Sequence, residues 1–187
     1  MVQIKIVETP EELQGLKDLQ TENLRKTVGE EIALKEGFLT SQYSLDLLQK
    51  MHKTHPSIIA KENDKVVGYV IVTTKSVYGE HPELDHLFNT LDSIKYNGQL
   101  LGDVNYILVG QLCVGITHRG IGLVQDMYTY YQQLHSKQYK YLVTDISQEN
   151  QRSIKAHKKS GFKTIGLIEQ VGASWEIVLW DWNSTLK

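Results

Sequence analysis

The stretch "THRGIGLVQDMY", residues 117–128, sets two glycines and an arginine between an apolar run and an amphipathic one. A turn that enters a helix directly from a buried strand leaves the first backbone N–H groups unpaired, and together with the helix dipole they form a site for an anion. Gly120 and Gly122 permit backbone angles and close approach that a side chain forbids, and Arg119 adds a planar donor suited to phosphate. The amides on offer are those of Arg119, Gly120, Ile121, Gly122, Leu123 and Val124. Two familiar nucleotide motifs do not fit. A P-loop needs Lys then Ser or Thr after its last glycine, where Leu123 and Val124 stand. A dinucleotide fingerprint needs three glycines near the first strand, and this turn has two, deep in the chain. On "RGIG" alone, a plain strand-to-helix turn with an exposed arginine stays equally open.

A second group lies downstream. "NQRSIKAHKKSGF" puts Asn150, Ser153 and His157 near one edge of a helix, a few residues past a strand that carries Asp145 toward its carboxyl end, where ligands of open α/β sheets collect. Asp145 is placed either to take a proton from an amine or to cap a neighbouring turn. Gln111, just before the glycine turn's strand ends, either orients a reacting group or satisfies a backbone partner. Cys113 is the only cysteine, and no base is evident beside it, so it reads as an apolar filler rather than a nucleophile. Glu83, Asp85, His81 and His86 have spacings a metal could use, but a solvated helix face explains them as well, and no metal is expected.

The elements that must hold these groups follow from periodicity. "VQIKIVE" alternates as a half-buried strand, Thr9 and Pro10 open a helix that the apolar spacing carries to about Val28, and a second helix covers 44–52. "SIIAKENDKVVGYVIVTT" reads as a hairpin turning at Asn63 and Asp64. Residues 78–103 are the least regular and read as an insertion around a short helix. "NYILVGQLCVG" is apolar on both sides, as in a sheet covered on both faces. The glycine turn, a helix to about Lys137 and the strand "YKYLVTDIS" complete a βαβ unit, and a helix capped by Asn150 and ended by Gly161 precedes two closing strands. Trp175, Trp180 and Trp182 are divided between the core and a pocket wall.

Bulk properties limit the rest. With 187 residues, 41% hydrophobic, 22% charged and 3 Pro, the chain reads as one globular domain, 1–187, without linker or repeat. A formal charge of -2 gives no bulk field for nucleic acid or an anionic membrane. The opening "MVQIKIVETP" holds no long apolar segment, and the lone cysteine allows no internal disulfide, so the cytoplasm is the expected compartment.

From Gln111 through Phe162 the chain resembles the acyl-CoA core of the GNAT superfamily of N-acyltransferases. In that family a central strand leads into Arg or Gln, two residues, Gly, one residue, then Gly or Ala, and a later helix carries Asn, often Arg and Ser, then Tyr, ending at Gly-Phe. Here those positions read Arg119, Gly122 and Val124, then Asn150, Arg152, Ser153, His157, Gly161 and Phe162. Val124 and His157 depart from the pattern. The resemblance implies a mixed, twisted α/β sheet of about seven strands with helices on both faces. It implies acetyl-CoA with its pyrophosphate on the amides 119–124 and its pantetheine beside Leu112, Cys113, Val114, Asn150 and Ser153. It further implies transfer to a primary amine of a small molecule, amino acid or peptide, with His157 in place of the tyrosine that protonates the departing thiolate; read beside it, direct attack would use Asp145 as base with Gln111 near the acceptor, if neither has only the structural role its position also allows. A non-catalytic acyl-CoA-binding or sensing protein is the alternative, and a homodimer is compatible with the sequence.

Overall fold

The computed structural model describes residues 1–170 and 172–183. β1 (Val2–Ile6) leads to α1 (Pro10–Glu22), whose first turn is closed by Thr9, its hydroxyl accepting from the Glu12 amide at 3.2 Å. The helix does not run on to Val28 as its apolar spacing suggests. Asn23 turns its side-chain amide back onto the Leu19 carbonyl at 2.8 Å, and Leu24 leaves the helix to bridge Leu39. Two short helices follow, α2 (Arg25–Val28) and α3 (Glu30–Glu36), stopped by Gly29 and Gly37. A strap, residues 37–44, then leads to α4 (Leu45–Thr54), capped by Ser44.

β2 (Ile58–Glu62) and β3 (Lys65–Thr73) form the expected hairpin, with Asn63 at φ 53° in its turn. The 78–103 region contains α5 (Pro82–Ser93) and a small ribbon of β4 (Lys95–Tyr96) and β5 (Gln99–Leu100) outside the main sheet. The remaining elements are β6 (Tyr106–Val114), α6 (Leu123–His135), β7 (Tyr141–Ser147), α7 (Gln151–Lys159), β8 (Lys163–Gln170) and β9 (Ala173–Asp181).

Seven strands make one mixed sheet in the order β1-β2-β3-β6-β7-β9-β8, antiparallel except where β6 meets β7. Alternation along β3 shows why its apolar run is continuous. Tyr69 and Ile71 pack with Leu16 and Leu48 on the face covered by α1 and α4, whereas Val70 and Val72 pack with Met127 and Tyr128 on the face covered by α6. Helices therefore cover both faces.

β6 and β7 stay paired only from Tyr106 to Leu108, against Tyr141 to Val143. Beyond that they diverge, while β6 keeps its pairing with β3 as far as Val114, through a bulge that skips Gly110. The cleft between the parting strands is where the functional groups gather.

Candidate active site

The turn after β6 is built as its glycines require. Gly120 has φ 83°, and Gly122, the N-cap of α6, has φ 94°. An added Cβ would meet nothing within 4 Å at either position, so backbone conformation and not crowding selects glycine. No side chain caps α6, which leaves its first amides open toward a cavity of about 330 Å³. Arg119, Gly120, Gly122, Leu123 and Val124 line that cavity, and Asn150, Arg152, Ser153, Lys155 and Lys159 from α7 and its cap face them. Ile121 is exposed and stands outside the lining.

Arg119 does not offer its guanidinium to this cavity as a free phosphate donor. Its Nε donates to the Val114 carbonyl at 2.8 Å, one terminal nitrogen donates to Asn23 Oδ1 at 2.9 Å and the other to the Glu36 carbonyl. Those acceptors belong to the end of β6, the cap of α1 and the end of α3, so the arginine braces the turn against the chain that precedes the strap. Asn150 acts in the same way: its oxygen accepts from the Ser153 amide at 3.2 Å and its nitrogen donates to the Phe38 carbonyl at 2.9 Å.

Along the cleft, the Gly115 amide bonds Val67 of β3 at 2.8 Å. Alternation then turns the Leu112 and Val114 amides to the opposite, open side of β6. This edge runs from the glycine turn to a second cavity of about 380 Å³, and Leu112, Phe38, Leu39, Asn150 and Ser153 line both. Cys113 also lines the glycine-turn cavity, but its side chain packs in the core with α1, where burial pushes its thiol up to about 12. Cys113→Ala is expected to leave turnover within about twofold, because a neutral buried thiol has no part in the transfer; a loss beyond about tenfold in a steady-state assay would make it a nucleophile.

Asp145, Gln111 and His157 all border the second cavity. Asp145 is partly buried, and burial raises its carboxyl to about 6; Glu83 adds to the rise, and the aspartate's own amide opposes it. A base with that value is half deprotonated near pH 6 and mostly ready at neutral pH. Gln111 is not free to hold a reactant. Its oxygen accepts from Gln20 Nε2 at 2.7 Å and from the Tyr69 hydroxyl at 2.6 Å, and its nitrogen donates to the Ser41 carbonyl at 2.8 Å. It bolts α1, β3 and the strap together, the bland alternative its sequence context allowed.

His157 is also fully engaged. Nδ1 lies 2.8 Å from the Ser153 carbonyl, to which it donates, and Nε2 accepts from the Tyr128 hydroxyl at 2.7 Å. Burial lowers the ring to about 4, against the pull of the Ser153 carbonyl, so the imidazole is neutral at physiological pH. The acid expected at this position is therefore replaced by a packed, neutral ring, tilted against Tyr128 and edge-on to Phe162.

Several lining residues carry no readable motif. Tyr43 closes the second cavity and donates to the Gly110 carbonyl at 2.8 Å, and Glu83 and Leu84 of α5 form part of the same wall, so the 78–103 segment is wall rather than appendage. Trp175 lines this cavity, whereas Trp180 and Trp182 belong to the core. Lys155 and Lys159 had a signal, the i, i+4 spacing of cations on α7, opposite the glycine turn.

The sequence model of the Acetyltransferase (GNAT) family matches residues 28–162. No curated protein sequence matches the chain. Among solved structures, the chain is similar to Arabidopsis thaliana NAA60 in complex with acetyl-CoA, with a TM-score of 0.65 and 13% identity over 97% of this chain and 99% of that one. It is similar to an N-acetyltransferase from Staphylococcus aureus Mu50, with a TM-score of 0.63 and 17% identity over 97% and 99% of the two chains. The ribosomal-protein-S18-alanine N-acetyltransferase from Escherichia coli superposes with a TM-score of 0.61 at 11% identity, over 97% and 94%.

Proposed function

This chain belongs to the GNAT acetyltransferase family, and from that premise we propose that it transfers the acetyl group of acetyl-CoA, within one domain spanning 1–187, to a primary amine of a small molecule, amino acid or peptide. The observation that carries the reading is the open edge of β6, which joins the glycine-turn cavity to the cavity bordered by Asp145.

The residues fit the donor. Amides from Arg119 to Val124 would take the pyrophosphate, and the Leu112 and Val114 amides would pair the pantetheine arm as a short extra strand, with Asn150 and Ser153 on its other side. Acetyl-CoA, when bound there, supplies an activated thioester. Asp145 takes a proton from the acceptor ammonium, directly or through water, so that the neutral nitrogen can form the new N–C bond as the C–S bond breaks, and the proton left on that nitrogen passes to the departing thiolate or to water. Thiols have a pKa of ~8.5, so the sulfur can depart without an acid. His157 holds the neighbouring wall and Tyr128 in place instead of supplying that proton.

Acetyl transfer across an amine panel, read as CoA thiol released per acetylated amine, tests the proposal. Tight acetyl-CoA binding with no amine acetylated would leave a sensing protein instead. Lys155 and Lys159 have no ion pair among the described residues, and each change to Ala is expected to raise the Kd for CoA about three- to tenfold at low salt, with less effect at high salt. Titration calorimetry at two ionic strengths reads this directly.

A further inference from the structure

Building on that acetyl-transfer reading, we propose that the acceptor is a short dication, an amine whose second positive charge lies a few bonds from the reacting nitrogen, held between Asp145 and Glu83. The wall of the 380 Å³ cavity contains three carboxylates, Glu83, Asp145 and Glu149, and one permanent cation, Arg25. Arg25 is already spent, since its guanidinium pairs with Glu149 at 2.5 Å and with Glu30, Nε to Oε2, at 2.9 Å. Glu149 is neutralised by the same contact. Asp145 and Glu83 are left: Glu83 accepts a hydrogen bond from the Ser41 hydroxyl, and neither has an ion-pair partner among the described residues. His157 is neutral and offers no compensating charge.

The two carboxylates sense each other across the cavity, since Glu83 contributes to the raised value of Asp145. The same wall holds two aromatic residues, Tyr43 of the strap and Trp175 of β9. Carboxylates set against aromatic rings favour organic cations, by charge attraction and by the electron-rich ring faces. A monoamine satisfies Asp145 and leaves Glu83 facing the cavity alone. An acceptor with a carboxylate of its own meets like charge from both. A diamine answers both groups, its first nitrogen giving its proton to Asp145 and its second remaining charged beside Glu83.

Three four-carbon amines that differ only in the far end separate these cases: diaminobutane with a cation, butylamine with a methyl, and gamma-aminobutyrate with a carboxylate. Calorimetry on the CoA-bound protein should give diaminobutane an affinity at least about tenfold above butylamine, and gamma-aminobutyrate the weakest of the three. Glu83→Gln should bring the diamine to butylamine ratio close to one, and high salt should shrink it in the wild type because Glu83 is exposed at the rim. Equal affinity for the two amines, a ratio that survives Glu83→Gln, or no binding of any of the three overturns the proposal. Acetylation measured on the same series keeps the two readings apart. Glu83-dependent diamine binding without acetylation counts against acetyl transfer alone, and equal acetylation of butylamine and diaminobutane counts against the dication alone.

Discussion

Replacing Asp145 by Asn should lower kcat/KM by about 10²- to 10⁴-fold while raising the stability of the protein at pH 7 by about 3 kcal/mol. Both effects have one cause. The carboxyl titrates at about 6 in the folded chain and at ~3.9 when unfolded, so between those values the folded state holds a proton that the unfolded chain has released. Its contribution therefore lowers stability as pH rises through that window, and the full cost is present at neutral pH. His157 has the opposite sign: its folded value of about 4 lies below the ~6.5 of an unfolded histidine, so the unfolded chain binds the proton and stability falls as the solution is acidified from ~6.5 toward 4. In the wild type the two slopes largely cancel. In Asp145→Asn only the histidine slope remains, and urea unfolding at stepwise pH should show a loss of about 3 kcal/mol across that range. The wild-type pH–rate profile, taken with a saturating acceptor, should rise to a plateau above about 6 and lose this limb in the variant. Parallel stability curves for the two proteins, or an unaltered rate, would remove Asp145 from the role of base.

The frame that holds Asp145 was legible in the sequence where local chemistry sets structure. Thr9 and Asn150 cap the helices they precede, because a short polar side chain meets a free amide three residues on, whereas Ser44, expected as the first residue of its helix, is in fact its cap. The apolar run of β6 indicated the covered sheet, and the glycines at 120 and 122 indicated the turn, where both have positive φ. What could not be read is what depends on partners distant in sequence. α3 was missed because Ala33 is its only buried residue while Ile32 and Leu34 are exposed, so no apolar stripe announces it. α1 seemed to reach Val28 because the spacing of Leu24 suits a helix, yet the pairing of Leu24 with Leu39 pulls it out. His157 was identifiable by position, but its neutral state is set by burial, and its Nε2 is occupied by Tyr128, 29 residues earlier. Gln111 likewise depends on Gln20 and Ser41, 91 and 70 residues away.

Arg119 is the strongest case of a residue whose type was readable and whose direction was not, and the two roles predict different outcomes for Arg119→Met. Methionine keeps much of the apolar stem but leaves the Val114 carbonyl, the Glu36 carbonyl and Asn23 Oδ1 without their donor. A stranded acceptor costs ~1–3 kcal/mol, and because these three share one donor the losses overlap, for a total of about 3–4 kcal/mol. Over a chain of this length that lowers the melting temperature by roughly 10 °C, measured without any ligand. The Kd for CoA should rise at least about tenfold as well, since the turn and the strap are no longer held in the binding arrangement before the ligand arrives. Arg119→Lys should recover only part of the stability, because an ammonium cannot reach three acceptors spread around a planar fork. The phosphate-donor role expected from the sequence predicts the reverse: an unchanged melting temperature, with a weakened CoA affinity whose salt dependence is shallower than that of the wild type because one charge contact is gone. Thermal unfolding of the ligand-free variant distinguishes the two, since a brace stabilises the empty protein and a phosphate donor does not.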